Sequence, residues 1–383
     1  MRVALVGDEY YPDIGGAAHY AFDLSLQLGK LGIDVMVVTH AHPGQPEEEE
    51  IAGVKIKRVK GLVLHNPHRA VSPLLFRHCH EYILDGKFDV VHGLDVYSSM
   101  AQMVIPFAHR HRIPCVTTCH TVIASHFSIL LQRPLGLVLK RTGRLIAVSQ
   151  ASAHFCRLLG CPEEKITVVP NGGDPACFNG EIDVLAMREE LGIGAEPLVV
   201  TASRLIKRKN PKLLVSAFAR VLEVVPDAKL AIAGSGRQKD NLSRQIKDLN
   251  IVNSVFMLGV LAKEKVAQLM AAAEVFVLPS KLESFGLSLL EASAAGVPIV
   301  CSNAGGVPEI FKDGFNALLY PPGDEDAMAK AIICLIQDRE LAEKISANAR
   351  ETAGRFTWDL AAQRTLRVYE EVLQESGSSC SHQ

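Results

Sequence analysis

Short apolar runs alternate with longer amphipathic stretches along this chain, and that rhythm restricts the fold more than any other feature. An apolar run followed by a helical pattern marks a parallel strand buried on both faces and its crossover helix. In the first half the runs are Val3–Gly7, Val35–His40, Val54–Val59, Val90–His92, Cys115–Cys119, Leu145–Val148 and Ile166–Val169. The clearest helical patterns between them cover Ala17–Leu31 and Ser99–His111. From Pro170 to Pro197 the alternation pauses, and Gly, Pro and Asp gather around one helix-like patch, Val184–Leu191. It then resumes with Leu198–Ala202, Lys229–Ala233, Val255–Leu258, Val275–Leu278 and Ile299–Cys301. Helices are expected near Pro211–Val225, Gln238–Leu249, Lys263–Ala273 and Leu287–Ala295, and helical segments run from Asp326 to Gln374. The pattern predicts an α/β protein of two Rossmann-like, doubly wound domains facing a central cleft, where such folds bind ligands. Expected boundaries are 1–170 for the first domain, 171–196 for a linker and 197–355 for the second domain. A C-terminal helix over 356–375 and a tail over 376–383 complete the chain.

The 383 residues suffice for two cores, and 48% apolar with 21% charged residues is ordinary for a globular protein. A net charge of −2 argues against nucleic acid as a partner. Nine cysteines at irregular spacing, with no C-x-x-C pair, point to a reducing compartment. The N-terminus reads as a buried strand, not a signal sequence, and no apolar run reaches the length of a membrane span. The expected location is cytoplasmic, with the inner membrane face as a further candidate.

Candidate chemistry falls on the loops after strands. Glu283 and Glu291 bracket Ser284-Phe285-Gly286-Leu287 at a loop-to-helix junction, and Glu291 is the only formal charge between Ser284 and Pro308. A carboxylate on so apolar a helix calls for hydrogen-bond donors, and sugar hydroxyls are suitable ones. Arg204, Lys207, Arg208 and Lys209 follow a strand and could grip phosphate, although such runs also form solvated helix caps. Gly15 and Gly16 open a helix directly after the first strand, a place where backbone N–H groups meet anions. Gly234-Ser235-Gly236 is a weaker glycine turn, and Gly305-Gly306 reads as a connection. His120 ends an apolar strand of the first domain and would face the cleft. Paired histidines such as His78 and His80 lie on opposed faces, so no metal site is expected.

Taken together, the Gly15-Gly16 loop, Val169-Pro170-Asn171-Gly172, Ser203-Arg204 with Lys209, the two-glutamate motif and Gly305-Gly306-Val307-Pro308-Glu309 resemble the retaining glycosyltransferases of family 4, with the GT-B fold. The resemblance covers roughly residues 1–370. It implies a sugar transfer from a nucleotide-diphosphate sugar, a UDP-sugar for example, by a hexosyl- or N-acetylhexosaminyltransferase that needs no metal or other cofactor. Arg204 and Lys209 would hold the diphosphate and stabilise the leaving group. Glu291 would accept from the ribose hydroxyls and Glu283 from the donor sugar. Backbone amides near Ser284, Phe285, Gly286 and Leu287 would line the sugar pocket, and Leu258 with Gly259 would lie near the base. Gly16 would let the first lobe approach the diphosphate, and His120 would contact the donor sugar. Ser203, Asn210 and Gly173 depart from the family pattern, which has Gly, Gly and Val at those places. A nucleotide-sugar epimerase of the same shape is the alternative, but it calls for further acid/base residues that the sequence does not supply. A non-catalytic binding subunit is disfavoured by the presence of all five polar residues.

The acceptor stays open. From Val96 to Pro162 there is no Asp or Glu, whereas Arg110, Arg112, Arg133, Lys140, Arg141, Arg144 and Arg157 fall within that stretch. Such a segment suits a phospholipid or other anionic acceptor, with peripheral membrane contact expected through 129–144. Buried strands and helices, where acids are scarce anyway, would give the same composition.

Overall fold

The computed structural model describes residues 1–13, 15–42, 44–60, 73–122, 135–136, 138–173 and 183–380. They form two compact units, Met1–Gly172 with Trp358–Gln383, and Gly173–Thr357.

The first unit is built on an eight-stranded sheet: β1 (Arg2–Val6), β2 (Asp34–His40), β3 (Glu48–Ile51), β4 (Val54–Val59), β5 (Val90–Gly93), β6 (Cys115–Cys119), β7 (Arg144–Ala147) and β8 (Ile166–Val168). The order is β3-β4-β2-β1-β5-β6-β7-β8, and every pairing except β3 with β4 is parallel. Helices α1 (Gly16–Lys30), α2 (Pro73–Asp85), α3 (Ser99–Arg110) and α4 (Gln150–Leu158) connect the strands. Ser98 and Ser149 cap α3 and α4, each accepting a backbone N–H in the first turn. Val3, Ala4, Leu5 and Val6 are wholly buried, as a central parallel strand covered by helices on both faces requires.

Strand β3 was not expected. Its Glu48-Glu49-Glu50 reads as a charge run, yet it pairs antiparallel with β4 and sets Glu48 opposite Lys57 and Glu50 opposite Lys55. Glu49 reaches inward to the buried Arg58 at 2.5 Å. Carboxylates on an outermost strand also discourage pairing with another chain.

The second unit carries β9 (Leu198–Ala202), β10 (Lys229–Ala233), β11 (Val255–Gly259), β12 (Val275–Leu278), β13 (Ile299–Ser302) and β14 (Leu318–Tyr320) in the order β11-β10-β9-β12-β13-β14, all parallel. Its helices are α5 (Val184–Glu190), α6 (Pro211–Val224), α7 (Lys239–Asp248), α8 (Lys263–Ala271), α9 (Leu287–Ala295), α10 (Val307–Ile310), α11 (Glu325–Gln337) and α12 (Arg339–Ala353). Val199, Leu214, Phe218, Leu230, Val277 and Ile332 meet in its core without exposure. The strand order reverses between β9 and β12, which is the topological switch point of this sheet.

Of the expected linker, 174–182 lies outside the described residues, and α5 belongs to the second unit. Arg188 holds it there, donating to the carbonyls of Gly194 and Ala272 at 2.8 Å and pairing with Glu274 at 3.4 Å. Helix α13 (Trp358–Cys380) belongs to the first unit and continues through much of the expected tail. Trp358, Ala361, Ala362, Thr365, Val368, Tyr369 and Val372 are its buried face, at helical spacing. Of the expected membrane surface over 129–144, residues 129–134 and 137 lie outside the described set, while Leu135, Val138 and Leu139 are buried in the first unit's core. These three apolar side chains therefore face inward. No described helix is long and apolar enough to cross a membrane.

Candidate active site

At the second unit's switch point, the loop after β9 carries Ser203–Asn210 and the loop after β12 carries Pro279–Gly286. They are tied by main chain, the N–H of Lys281 donating to the carbonyl of Arg208 at 2.8 Å. Asn210 adopts a left-handed φ of 52° at the start of α6, followed by Pro211 at the first helical position. Asparagine tolerates that conformation, so this departure from a family glycine keeps the turn. Side chains close the junction: Lys209 Nζ lies 2.5 Å from Glu283 Oε2, and Ser280 Oγ donates to the same oxygen at 3.2 Å. Glu283 is 5% exposed. Burial opposes its ionisation, but the charges of Lys209 and Arg208 and the hydrogen bonds from Lys209 and Ser280 prevail and hold the carboxyl below its ordinary range.

Glycines read as connectors prove to be supports. A Cβ on Gly305 would stand 2.0 Å from the carbonyl oxygen of Glu283, and Gly306 N–H donates to that oxygen at 2.9 Å. The loop after β13 thus rests directly on the Glu283 backbone. Likewise, a Cβ on Gly234 would stand 2.0 Å from the Ser203 oxygen, and one on Gly236 2.5 Å from that of Leu205. Only glycine lets the loop after β10 lie against the backbone on either side of Arg204.

Arg204 is exposed, Lys209 half-buried, and Ser284, Phe285 and Gly286 are buried. Leu287 and Glu291, both half-buried, lie on α9, whose N-cap Gly286 takes a φ of 91°. Leu258 and Gly259 end β11, two strands from β9 and hence about 10 Å away across the sheet. The second unit therefore gathers Lys209, Glu283, Ser284, Phe285 and Gly286 at one junction. Arg204 and Glu291 lie on the adjoining loop and helix, and Leu258 with Gly259 lies farther along the same edge.

In the first unit, Gly15 caps α1 and Gly16 begins it. His120 follows β6, its ring edge-on to Tyr20 at 4.1 Å. The ring is half-buried, but Nε2 is cut off from solvent and has no partner among the described residues. Desolvation drives its pKa down to about 3, against a hydrogen bond with the Leu94 backbone. Tyr20 belongs to a buried chain: its hydroxyl meets Thr118 Oγ1 at 3.2 Å, Thr118 Oγ1 meets His92 Nε2 at 2.7 Å, and His92 Nδ1 meets the Tyr369 hydroxyl at 2.7 Å. Burial keeps His92 neutral, its pKa at about 3, with His120 adding a smaller push in the same direction.

Two family models match the chain, "Glycosyl transferases group 1" over residues 183–352 and "Glycosyltransferase Family 4" over 14–176. A D-inositol 3-phosphate glycosyltransferase of Frankia alni is 30% identical, the match covering 94% of this chain and 95% of the relative. The chain belongs to glycosyltransferase family 4. An uncharacterized glycosyltransferase of Methanocaldococcus jannaschii is 29% identical over 98% of the chain and all of the relative. Among solved structures, Anabaena HepE in complex with UDP and glucose superposes with a TM-score of 0.83 at 23% identity, over 97% of this chain and 99% of HepE. The two doubly wound units are those of the GT-B fold.

In this family 4 glycosyltransferase, sequence reasoning passed over Asp95, His92, Tyr20 and Tyr369. A usable signal exists for Asp95: it follows β5, which pairs with β1 at the first unit's own switch point. For Tyr369 there is none, because its partner His92 lies 277 residues away.

Proposed function

We propose that the protein transfers a hexosyl or N-acetylhexosaminyl group from a UDP-sugar to an acceptor hydroxyl, with retention of configuration and without a metal. The observation that carries this reading is the Lys209–Glu283 pair at the second unit's switch point, on the loop that also carries Arg204. As the sugar–phosphate bond breaks, negative charge grows on the departing diphosphate, and Arg204 and Lys209 supply the positive charge that stabilises it. Glu283 stays ionised and accepts from a sugar hydroxyl, and Glu291 accepts from the ribose. Backbone amides of Ser284–Leu287 shape the sugar subsite, and Leu258 and Gly259 sit beside the base. Gly15 and Gly16 keep side-chain bulk away from the diphosphate, and His120 contacts the transferred sugar. HepE, of like fold, is seen with UDP and glucose, which favours a UDP-sugar. Cys79, Cys115, Cys119, Cys156, Cys161, Cys301 and Cys334 are free thiols, and the proposed setting is a reducing, cytoplasmic one.

UDP should raise the melting temperature of the wild-type protein. Arg204→Ala and Glu291→Ala should each weaken UDP binding by roughly thirtyfold or more, since a charged contact to a buried ligand is worth about 2–5 kcal/mol. Proton NMR of the product would show a retained anomeric configuration. No protection by UDP, or wild-type affinity in both variants, overturns the reading.

A further inference from the structure

The terminal torsion of a glutamate is intrinsically broad, so rotamer preference alone does not aim the two oxygens of Glu283. Its neighbours do. A carboxylate offers about two acceptor positions per oxygen, and among the described residues both donors fall on the same one. Lys209 Nζ lies 2.5 Å from Oε2 and Ser280 Oγ 3.2 Å from it. Oε1 takes neither bond, and it is not among the solvent-sealed side-chain atoms without a partner. It is thus the oxygen left for a ligand.

The two donors are not interchangeable. A lysine ammonium is a point charge on a flexible stem with rotatable donors, and it neutralises a carboxylate from many directions. It does not set the plane of the group. Ser280 has a short side chain, is 1% exposed, and its carbonyl oxygen accepts from the equally buried Ser302 Oγ at the end of β13. Because an ionised carboxylate only accepts, the Ser280 hydroxyl is the donor in its bond to Oε2. The same stretch of chain also holds the Glu283 main chain, since the N–H of Gly306, in the loop after β13, donates to the Glu283 carbonyl. Backbone and carboxylate are therefore referred to one strand end, the first through Gly306 and the second through Ser302 and Ser280.

We infer that Ser280 is a positioning residue for sugar transfer: by sharing Oε2 with Lys209 it fixes the carboxylate plane of Glu283 and presents Oε1 to a hydroxyl of the transferred sugar. Ser302 acts one step behind, by holding the Ser280 main chain. The inference rests on the transfer reading above and divides the roles within it. Lys209 keeps Glu283 ionised, and Ser280 aims it. Without the Ser280 hydroxyl the carboxylate stays charged and paired but turns, so a diphosphate still binds while the sugar loses its contact.

Isothermal titration calorimetry on the full-length protein compares UDP with UDP-glucose and UDP-N-acetylglucosamine. The readout is the ratio of UDP-sugar affinity to UDP affinity, in which the diphosphate contacts cancel. In Ser280→Ala that ratio should fall about tenfold for the sugar nucleotide the wild type binds more tightly, the scale of one hydrogen bond to a charged group, with UDP affinity within about twofold of wild type. Ser302→Ala should move the ratio the same way by a smaller factor. In a Glu283→Ala background, Ser280→Ala should change the ratio by less than about twofold, because no carboxylate remains to be aimed. A purely structural serine would lower both affinities alike and act independently of Glu283. An unchanged ratio in Ser280→Ala, equal losses for UDP and UDP-sugar, additive effects of the two substitutions, or a wild type that binds UDP and neither sugar nucleotide overturns the inference. A wild type that does not bind UDP would instead strike the transfer reading, so the two failures are separable.

Discussion

Replacing Lys209 by methionine removes the cation paired with a carboxylate that is only 5% exposed. Breaking a buried ion pair from one side costs about 3–5 kcal/mol. Glu283 keeps the Ser280 hydroxyl and the charge of Arg208, so the expected loss is near the lower end, about 3 kcal/mol. The sign of the pH dependence follows from the carboxyl. In the wild-type protein its pKa is lowered, so its contribution is complete above the unfolded value of about 4.3 and is lost only as pH falls through the folded value. Without Lys209, burial dominates and lifts the folded pKa above the unfolded one. The folded variant then holds more protons than the unfolded chain, and its stability falls as pH rises. The gap between Lys209→Met and wild type should therefore widen from about pH 5 to pH 8, followed by urea unfolding with circular dichroism. Adding Glu283→Gln should recover a large part of the loss, because a neutral amide no longer needs the cation. A gap under about 0.5 kcal/mol, or one constant across that pH range, would refute the assignment of Glu283 as a buried anion held by Lys209.

Gly305→Ala meets both a left-handed φ of 60° and the Glu283 carbonyl at 2.0 Å, so a loss above about 2 kcal/mol with impaired UDP stabilisation is expected. Gly192→Ala, with φ of 66° but open space around it, should cost only about 1 kcal/mol and leave UDP stabilisation alone; equal effects would dismiss the contact with Glu283. His92, buried and neutral with a folded pKa of about 3, lowers stability as pH drops below its unfolded value of about 6.5, by up to about 1.4 kcal/mol per pH unit. His92→Gln should flatten that slope between about pH 6 and 4.5 in acid-dependent unfolding, and an unchanged slope would show that another group sets it.

Most strands were legible because a parallel strand covered on both faces must be continuously apolar, and Val3–Val6 or Val275–Leu278 can be little else. Strand β3 escaped notice because its glutamates are stabilised by Lys55, Lys57 and Arg58 on a neighbouring strand, not by anything local. Strand β14, three residues long, is too short for a period to show. The site was read in outline from Glu283, Glu291, Arg204 and Lys209, which stand out as charges on apolar ground. What Gly234, Gly236 and Gly305 do was hidden, since each accommodates a carbonyl from a distant loop. Leu135, Val138 and Leu139, expected at a membrane surface, are buried instead, because apolar residues beside cations have the same composition whether they face lipid or a core.

The first unit is interrupted in sequence: Gly173–Thr357 is synthesised before Trp358–Cys380 can join it. During translation His92 must wait for Tyr369, and until α13 leaves the ribosome the nascent sheet lacks the side chains that seal one of its faces. The inserted unit, continuous from end to end, meets no such delay. A stop codon shortly before Trp358 would thus spare the later-made half and leave the earlier-made half unfinished.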